Sequence, residues 1–354
     1  MRYCVLSHSL KIIFNEEYNV KLQPGKIPID ILQNIVFKNL GVPRKEVVLG
    51  PAAGVDGAVL EIGDQTVISS MDPITGAVEH IGFEAVIVNA NDVATFGVEP
   101  AFLFSCIMLP EGADSQMVEN ITTQMDIAAK ELGIAIVGGH CESVPNLVSP
   151  IVVCCMIGLA KKGQYVTAAG ARAGDKLILT KSAGIEGTAI LATDREDQLS
   201  SVLSEEMLRS AKGFYSQISV VKDALTAYRT GGVHAMHDPT EGGVFNGVYE
   251  MADAAGLGLR VFEEDIVVKP ETLEICRYFA IDPFQLISSG ALLIAADPKA
   301  TLKILETLKL QGISAMVIGE FSNNLKGCVL QTKNGCIQTL PRPVTDQLWT
   351  ALSR

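Results

Sequence analysis

The sequence predicts an α/β protein with two domains, each a mixed sheet with helices on one face. Three observations lead to this prediction. The chain has 354 residues, and a single hydrophobic core rarely grows beyond about 250 residues. Hydrophobic residues make up 48% of the chain and charged residues 19%, so apolar side chains suffice for two cores. Short strand-like apolar runs alternate with longer helix-like patterns.

Changes in composition divide the chain. Residues 1–23 are interpreted as an N-terminal extension, which ends at the turn-forming stretch QPGKIP. A Gly- and Ala-rich stretch, KKGQYVTAAGARAGD, then separates a first domain, residues 24–162, from a second domain, residues 163–340. Residues 341–354 are expected to form a short helical tail.

The first domain begins with a helix, expected over Ile29–Leu40. The strands AVLEI and TVISSM follow, and the turn GDQ between them predicts a hairpin. A helix from about His80 to Phe96 precedes the strand AFLFSCIML. The next helix, within ADSQMVENITTQMDIAAKELG, repeats apolar residues in steps of three and four and ends at a glycine. IAIVGG and VSPIVVCCMIGLA are the remaining predicted strands.

The second domain alternates strands and helices again, beginning with the strand KLILT. A final hairpin is predicted in GCVLQTKNGCIQTL, because Asn-Gly is a strong signal for a two-residue turn. The other expected strands are Leu259–Phe262, Ala291–Ala295 and Ala315–Ile318, and the expected helices are Ser204–Arg229, Gly242–Ala255, Glu271–Phe279 and Ala300–Gln311.

Charge and hydropathy exclude some classes of partner. The net charge of −12 gives an acidic surface that repels phosphate backbones, so nucleic acid is not expected to bind. The longest apolar run, Ile151–Ala160, is too short for a membrane span, which needs about 20 residues. The first residues lack the apolar core and cleavage site of a signal peptide. We therefore expect no membrane partner and a cytoplasmic protein.

Transition-metal or disulfide chemistry has little support. The eight cysteines contain no Cys-x-x-Cys pair, so scattered packed thiols are the simpler interpretation. The stretch HAMHD offers His234, His237 and Asp238 as metal ligands, but no remote ligand completes the set.

Four aspartates lie at element ends or on an apolar helix. Asp56 lies in GVDGAV, Asp72 in SSMDPITGA, Asp92 in VNANDVATFGVEP and Asp238 in MHDPTEGG. Proteins bind Mg²⁺ with one or two carboxylates, and phosphate oxygens and water complete its shell. Asp56 and Asp238 fit equally well as turn or cap residues. Asp92 is different, because a polar group on an apolar helix face needs a partner.

Two glycine-containing loops could bind phosphate. In HDPTEGG, Thr240 can cap a helix that starts at Glu241, and Gly242 and Gly243 leave its first N–H groups accessible. SAGIEGTAIL repeats this pattern. An ordinary capped helix is the alternative in each case. Neither a Walker A loop nor a dinucleotide fingerprint occurs.

The stretch VGGHCESV predicts a second group of reactive side chains. We expect a buried strand that ends at Gly138 and Gly139 and presents His140, Cys141 and Glu142, as α/β folds often do at strand ends. His140 could act as a ligand, a base or a phosphate donor. Cys141 could be a nucleophile or a packed small residue.

These motifs, in this order, resemble the aminoimidazole ribonucleotide (AIR) synthetase superfamily, which includes selenophosphate synthetase, thiamine-monophosphate kinase and HypE. The similarity runs from about Gly25 to Pro341. PGKIP, MDPITGA, LPEG, DPTEGGVFNGVYEMADAAGLGLRV and LPRP are most similar to the HypE family of hydrogenase maturation proteins.

The resemblance implies an AIR-synthase-like fold with ATP and Mg²⁺ bound between the two domains. It implies a homodimer whose N-terminal domains share a β-barrel, and transfer of the γ-phosphate to an oxygen of a carbonyl or acid. The acceptor would be a small molecule or a group carried on a protein. The resemblance assigns metal binding to Asp56, Asp72 and Asp92, and nucleotide binding to Asn91, Asp92, Asp238, Gly242 and Gly243. We further expect Gly138, Gly139 and Thr240 to bind the nucleotide, and His140, Glu142 and Asp92 to act in catalysis.

The chain departs from the HypE pattern in two places. HypE proteins dehydrate a thiocarboxamide on their own C-terminal Cys, within a Pro-Arg-Ile-Cys ending, whereas this sequence reads LPRPVTDQLWTALSR. HypE proteins also carry an acid and a Lys after the two glycines, where this chain has His140 and Glu142. The alternative function is therefore a maturation partner or nucleotide-binding protein that lacks the self-modification chemistry.

Overall fold

The computed structural model describes residue 27 and residues 29–52, 54–75, 78–343 and 345–354. The extension predicted over residues 1–23 lies outside these residues. The described residues up to Gly41 belong to one compact unit, and those from Val42 onward belong to another. In the first unit, helix α1 covers only Ile29–Asn34 and a 3-10 turn follows at Val36–Lys38. The predicted helix is shortened because α1 buries no residue, and tertiary packing supplies most helix stability.

The first sheet lies at the start of the larger unit. Its order is β1-β2-β3-β6-β4-β5, and the chain pairs β4 and β5 in parallel while its other neighbours are antiparallel. The predicted hairpin forms between β2 and β3. The described strands form an open sheet rather than a closed barrel. They are β1 (Val47–Leu49), β2 (Ala58–Ile62), β3 (Gln65–Ile74), β4 (Pro100–Pro110), β5 (Ala135–Val144) and β6 (Ile151–Lys161).

Helix α2 (Ile81–Thr95) is the most buried helix of this half. It contacts β3, β6 and β4 on one side, and helix α3 (Ser115–Leu132) and the second half of the chain on others. A helix that is surrounded on all sides has no polar face to present to water. This explains why the sequence around α2 is apolar apart from a few polar residues.

Gly82 allows α2 and α3 to approach closely. A Cβ atom at Gly82 would overlap the Ile121 carbonyl oxygen of α3 and lie 3.0 Å from the Gln124 Cβ. We expect Gly82→Ala to destabilise the protein by about 1–3 kcal/mol, because the backbone clash outweighs the roughly 1 kcal/mol of helix propensity that alanine adds. Urea denaturation measures the change.

The control for this variant is Gly213→Ala. Gly213 has an ordinary helical backbone conformation with φ −63°, and a Cβ there would meet no atom within 4 Å. It should be neutral or stabilising by a few tenths of a kcal/mol. Equal stability of Gly82→Ala and the wild type would contradict the close approach of the two helices.

The second sheet has the order β13-β12-β9-β11-β7-β10-β8, with β12 and β9 parallel and the other neighbours antiparallel. The Asn-Gly hairpin is confirmed between β12 and β13. Strand β8 was not predicted, because its two histidines interrupt a short apolar run. The strands are β7 (Lys176–Thr180), β8 (Val233–His237), β9 (Gly258–Phe262), β10 (Leu293–Ala296), β11 (Ala315–Ser322), β12 (Cys328–Gln331) and β13 (Ile337–Thr339).

The single helix predicted over Ser204–Arg229 is wrong. A 3-10 turn at Gly213–Gln217 and three non-helical residues separate two helices there. The tail forms a short helix, as predicted. The helices of this half are α4 (Ile185–Asp194), α5 (Glu196–Leu199), α6 (Glu205–Lys212), α7 (Val221–Thr230), α8 (Gly243–Ala255), α9 (Pro270–Phe279), α10 (Thr301–Leu310) and α11 (Gln347–Leu352).

Helices cover both faces of the second sheet, so the prediction of helices on one face is wrong. Leu177 and Leu179 of β7 belong to one hydrophobic cluster with Phe245 of α8. Ile178, between them, belongs to the other cluster with Leu308 of α10. Successive side chains of a strand point to opposite faces, so each face has its own helical layer. The strand KLILT reads as continuously apolar for this reason.

Candidate functional site

Asn89, the first polar residue of VNANDVATFGVEP, fixes α2 to β3. Its side-chain carbonyl accepts a hydrogen bond from the Asp72 backbone N–H at 2.9 Å, and its amide donates to the Asp72 carbonyl at 3.3 Å. The amide also donates to the Ala85 carbonyl within the helix. Asn89 therefore holds the end of β3, and with it Asp72, beside the middle of α2.

Asn91 binds the backbone of the second half of the chain. Its amide donates to the Ile218 carbonyl at 2.9 Å, and its carbonyl accepts from the Val220 N–H at 2.8 Å. The non-helical break before α7 is what makes these two backbone groups available. Both side-chain polar atoms of Asn91 are engaged in this contact, so in this structure Asn91 joins the two halves. Its predicted role in nucleotide binding stays a prediction.

Asp92 faces the first sheet and is almost fully buried. The Ser70 hydroxyl donates a hydrogen bond to its carboxylate at 2.5 Å. Burial raises the pKa of Asp92 well above its usual range. The neighbouring carboxylates of Asp72, Asp238 and Asp56 raise it further, and the Ser70 hydrogen bond opposes them. Four aspartates from separate parts of the sequence therefore meet at the C-terminal half of α2.

Asp238 has the least compensated carboxylate of this group. It is 1% exposed, and neither of its side-chain oxygens has a hydrogen-bond partner among the described side chains. Burial raises its pKa to about 8; Asp56 adds to this shift, and the His237 imidazole opposes it. A buried carboxylate without a partner is costly, which marks this position as one that a cation would stabilise.

His237 lies between two carboxylates. Its Nδ1 is 2.8 Å from Asp56 Oδ1 and its Nε2 is 2.8 Å from Glu250 Oε2. Burial by itself would lower the pKa of His237, but Asp56 and Glu250 outweigh burial and raise it well above the usual value. An imidazolium with both N–H groups donated cannot bind a metal. His237 positions Asp56.

The donor atoms suit a hard cation. Asp56, His237 and Asp238 place ligand atoms within 4.8 Å of one another. With His237 protonated, only carboxylate oxygens remain, and oxygen ligands suit Mg²⁺. His234, the third residue of the trio considered from the sequence, faces elsewhere and pairs with Asp175 at 2.9 Å. The residues present therefore fit Mg²⁺ and do not fit a histidine-based transition-metal site.

The Gly242–Gly243 turn differs from the prediction. Helix α8 begins at Gly243 rather than Glu241, with Gly242 as its N-cap, and no side chain caps it. Thr240 contributes its backbone carbonyl, which accepts from the Gly243 N–H at 3.0 Å. The Gly242 N–H donates to the Asp346 carboxylate at 2.6 Å. The tail thus supplies an anion to the N–H group that we expected phosphate to contact.

Glycine is needed at this turn for packing. Both Gly242 and Gly243 have positive φ, at 80° and 65°. A Cβ at Gly243 would lie 2.6 Å from the carbonyl oxygens of Phe284 and Leu286. The sequence pattern is therefore explained by the turn itself, and the nucleotide-binding roles of Thr240, Gly242 and Gly243 stay predictions.

Asp346 predicts a pH dependence of stability. Burial raises its pKa to about 6, while backbone N–H groups of Leu348, Gly242 and Ile287 oppose the shift. The pKa of Asp346 in the folded protein lies above its unfolded value near 3.8. Its contribution to the free energy of unfolding is therefore complete below about pH 4 and is lost as the pH rises through about 6. Relative to Asp346→Asn, the wild type should lose up to about 3 kcal/mol of unfolding free energy between pH 4 and pH 7.

Urea denaturation of both proteins across this pH range measures the difference. Asp126→Asn, on the exposed surface of α3, is the matched control and should run parallel to the wild type. A constant difference between the wild type and Asp346→Asn from pH 4 to pH 7 would rule out the raised pKa.

Strand β5 differs most from its predicted form. It continues through Gly138 and Gly139 to Val144, and it is the exposed edge strand of the first sheet rather than a buried strand. Gly139 is needed because a Cβ there would overlap the Ser105 carbonyl oxygen of β4. His140 and Glu142 are exposed, with His140 Nε2 3.5 Å from Glu142 Oε2.

The sheet register separates β5 from the aspartates. Asp72 is paired with Cys154, Cys154 with Ser105, and Ser105 with Gly139. Three strand spacings amount to about 14 Å. The described chain therefore does not bring Gly138, Gly139, His140 or Glu142 to the aspartate cluster, and their predicted roles stay predictions.

The second glycine loop carries an acid at the helix start. Gly184 caps α4, and its N–H donates to the Ser288 hydroxyl at 2.8 Å. The second residue of α4, Glu186, is buried. Its carboxylate accepts hydrogen bonds from Ser289, and phosphate binding at this loop stays a prediction.

Several site residues were not identified from the sequence: Ser70, His237 as a bridge, Glu250 and Asp346. Their roles depend on partners far along the chain, such as the 181 residues between His237 and Asp56 and the 104 between Asp346 and Gly242. No local pattern signals such pairs.

Comparison with known families agrees with this geometry. Residues 54–160 match the model described as AIR synthase related protein, N-terminal domain, and residues 172–327 match the corresponding C-terminal domain. The chain belongs to the AIR synthase related protein family. Asp56, Asp72 and Asp92 lie in the N-terminal match of this family, and Asp238 lies in the C-terminal match.

Similar proteins in the family carry hydrogenase maturation names. A putative hydrogenase expression/formation protein of Methanocaldococcus jannaschii is 26% identical over 317 residues, covering 87% of this chain and 91% of that protein. The carbamoyl dehydratase HypE of Escherichia coli K12 is 29% identical over 294 residues, covering 81% of this chain and 84% of HypE.

Solved structures support the family fold. HypE in a HypE–HypF complex has a TM-score of 0.74 at 21% identity, covering 88% of this chain and 99% of that one. HypE in complex with ATP has a TM-score of 0.70 at 23% identity, covering 93% and 97%. These likenesses show that this chain has the same two-part α/β architecture. Among the described helices, none is both long and apolar enough to cross a membrane.

Proposed function

We propose that this protein is an ATP- and Mg²⁺-dependent enzyme that activates a carbonyl or acid oxygen by phosphoryl transfer. The observation that carries the proposal is the convergence of Asp56, Asp72, Asp92 and Asp238, of which Asp92 and Asp238 are buried, Asp56 is half-buried and Asp72 is exposed. Burial and mutual repulsion disfavour the charged forms of the two buried carboxylates, and a bound cation would offset both. The ATP complex of the related HypE supports a nucleotide as the ligand that brings Mg²⁺.

In this proposal the aspartates hold Mg²⁺, with Asp238 contributed by the second half of the chain. When bound, Mg²⁺ neutralises charge on the phosphates during transfer. Asp92 has the central position, since burial and three other carboxylates act on it. Ser70 and His237 orient Asp92 and Asp56 through their hydrogen bonds, so that the ligands are fixed before the nucleotide arrives.

The relatives suggest the acceptor chemistry. A carbamoyl dehydratase removes water from a carbamoyl group, as the name of the E. coli relative states. Transfer of the γ-phosphoryl group to the carbamoyl oxygen breaks the bond between the β–γ bridging oxygen and phosphorus and releases ADP. The carbamoyl oxygen, now bonded to phosphorus, then leaves as inorganic phosphate, and loss of the two amide protons leaves a nitrile. We propose the same class of reaction here, on a carbamoyl or similar group.

We further propose a homodimer formed through the outer face of the first sheet. Met71, Cys155 and Phe104 align across β3, β6 and β4 on that face, and Phe102 and Leu159 extend the apolar surface. A contiguous exposed apolar surface marks an interaction site. Such pairing would place two open sheets together in a shared barrel. The HypE–HypF complex supports a maturation factor as a further partner, which would carry the acceptor.

The proposed transfer is tested by tracing the carbonyl oxygen of the acceptor into inorganic phosphate. We would supply S-carbamoylcysteine labelled with ¹⁸O at the carbonyl, together with Mg-ATP, and analyse the phosphate by mass spectrometry. The expected result is ADP formation with ¹⁸O in the inorganic phosphate. ATP binding without acceptor-dependent ADP release would contradict the proposed transfer, and unlabelled phosphate would indicate simple ATP hydrolysis.

A further inference from the structure

A second group of buried acids lies on α2, away from the aspartates described above. Glu84 is in the first turn of α2 and Glu186 is in the first turn of α4. They are 2% and 6% exposed. The two carboxylates and that of Asp194 raise the pKa of the Tyr215 phenol, after burial itself. Tyr215 also packs on the ring of His80, the N-cap residue of α2, so the four polar groups share one neighbourhood between the two halves of the chain.

The hydrogen bonding of this group is incomplete. Glu84 Oε1 and Glu186 Oε2 are buried and have no hydrogen-bond partner in the described part of the chain. Ser289 hydrogen-bonds the Glu186 carboxyl but leaves that oxygen unmatched. No described lysine or arginine forms an ion pair with either glutamate; Arg195, next to Asp194, donates to the backbone carbonyls of Asp194 and Leu352. Two buried acceptors thus need donors that the described chain does not supply.

The spacing favours an organic cation over a metal ion. Among the described residues, Asp56, His237 and Asp238 are the one set of three or more acidic, His or Cys residues whose ligand atoms lie within 4.8 Å of one another. Glu84, Glu186 and Asp194 do not form such a set, whereas Asp56 and Asp238 belong to one together with His237. An ammonium or guanidinium group can donate separate hydrogen bonds to separated carboxylates.

An aromatic ring pair and further acidic side chains lie near the two glutamates. The His80 ring packs against Tyr215 with centroids 4.3 Å apart, and aromatic faces favour cations. Asp194, which acts electrostatically on Tyr215, and Glu79 are exposed to solvent. On its other side, Glu186 interacts electrostatically with Asp346 and Glu241 at the start of α8.

We propose that Glu84 and Glu186 bind the cationic end, an ammonium or guanidinium group, of the acceptor molecule. This assignment rests on the proposed function, since it makes this pair of glutamates the acceptor subsite beside the Mg-ATP site. Glu84 lies eight residues before Asp92, about 12 Å along α2. An acceptor of that length places its cationic end at the glutamates and its reactive oxygen at the aspartates.

The test uses the full chain and matched small probes at pH 8. Butylguanidinium and butylammonium carry the proposed charge, whereas butylurea has the shape of butylguanidinium without it. Titration calorimetry should show saturable binding of both cations and at least about tenfold weaker binding of the urea. Glu84→Gln/Glu186→Gln should weaken cation binding by at least about tenfold. Glu131→Gln/Glu306→Gln, two exposed positions with the same charge change, should bind like the wild type.

The outcomes separate the two proposals. Equal binding of butylurea and butylguanidinium, or unchanged cation binding in Glu84→Gln/Glu186→Gln, overturns the acceptor subsite. Mg-ATP is titrated into the same proteins: if it binds while the cations do not, the subsite is wrong and the proposed function stands. If cations bind and Mg-ATP does not, the proposed function fails. Circular dichroism confirms folding, and single Glu84→Gln replaces the double variant if that variant unfolds.

Discussion

Asp92→Asn should stabilise the protein without ligand and abolish its use of ATP. In the wild type the Asp92 carboxylate is buried beside three other carboxylates, which raises its pKa. Asparagine keeps the shape and accepts the Ser70 hydrogen bond, but it removes the repulsion. The unfolding free energy should rise by about 1–3 kcal/mol at pH 8. Mg-ATP affinity should fall on the order of 100-fold, because an anionic ligand of the cation is lost.

Two measurements decide this prediction. Urea denaturation without nucleotide gives the stability, and calorimetric titration of Mg-ATP gives the affinity. The control is Asp197→Asn on α5, an exposed position that should change neither quantity. A variant that is both less stable and unimpaired in Mg-ATP binding would show that Asp92 has a structural role only.

Asn91→Leu should be strongly destabilising. Leucine has the branched shape and the number of side-chain heavy atoms of asparagine. It leaves the Ile218 carbonyl and the Val220 N–H without their partners, both of which Asn91 satisfies at under 3 Å. Each buried unsatisfied group costs about 1–3 kcal/mol, so we expect a loss of about 2–5 kcal/mol. The loss acts on the contact between the two halves, so the unfolding transition should also broaden as the halves become less cooperative.

Urea denaturation followed by both far-UV circular dichroism and tyrosine fluorescence measures the loss and its cooperativity. Asn120→Leu, at an exposed site on α3, makes the same chemical change without a buried partner and should shift stability by less than about 0.5 kcal/mol. A loss of similar size in both variants would show that the Asn91 bonds contribute little.

The sequence predicted those elements whose signals are local. The hairpin of β2 and β3 and the helix α3 each carry their own turn, cap or periodicity, and both form as expected. The single helix predicted over Ser204–Arg229 was wrong. The apolar pattern continues through the non-helical break before α7, which Asn91 stabilises from 127 residues away. β5 was expected to be buried because it is apolar, and the structure instead exposes it at an edge.

The site could be predicted in part for the same reason. The four aspartates lie in motifs that resemble a known family, so their convergence was expected. The hydrogen bond from the Gly242 N–H to the Asp346 carboxylate was not expected, because the family pattern suggested that phosphate would contact this turn. Glu84 and Glu186 also read as ordinary helix-start acids, which the helix dipole favours. Only the three-dimensional arrangement shows that both are buried and incompletely bonded.

The contact between Asp346 and Gly242 gives the protein a natural optical reporter. The chain contains one tryptophan, Trp349, which lies on α11 three residues after Asp346 and is partly exposed. Its fluorescence reports, without any label, whether the tail is bound to the turn at the start of α8. Quenching by iodide, with and without Mg-ATP, therefore distinguishes a tail that stays docked during nucleotide binding from one that is released.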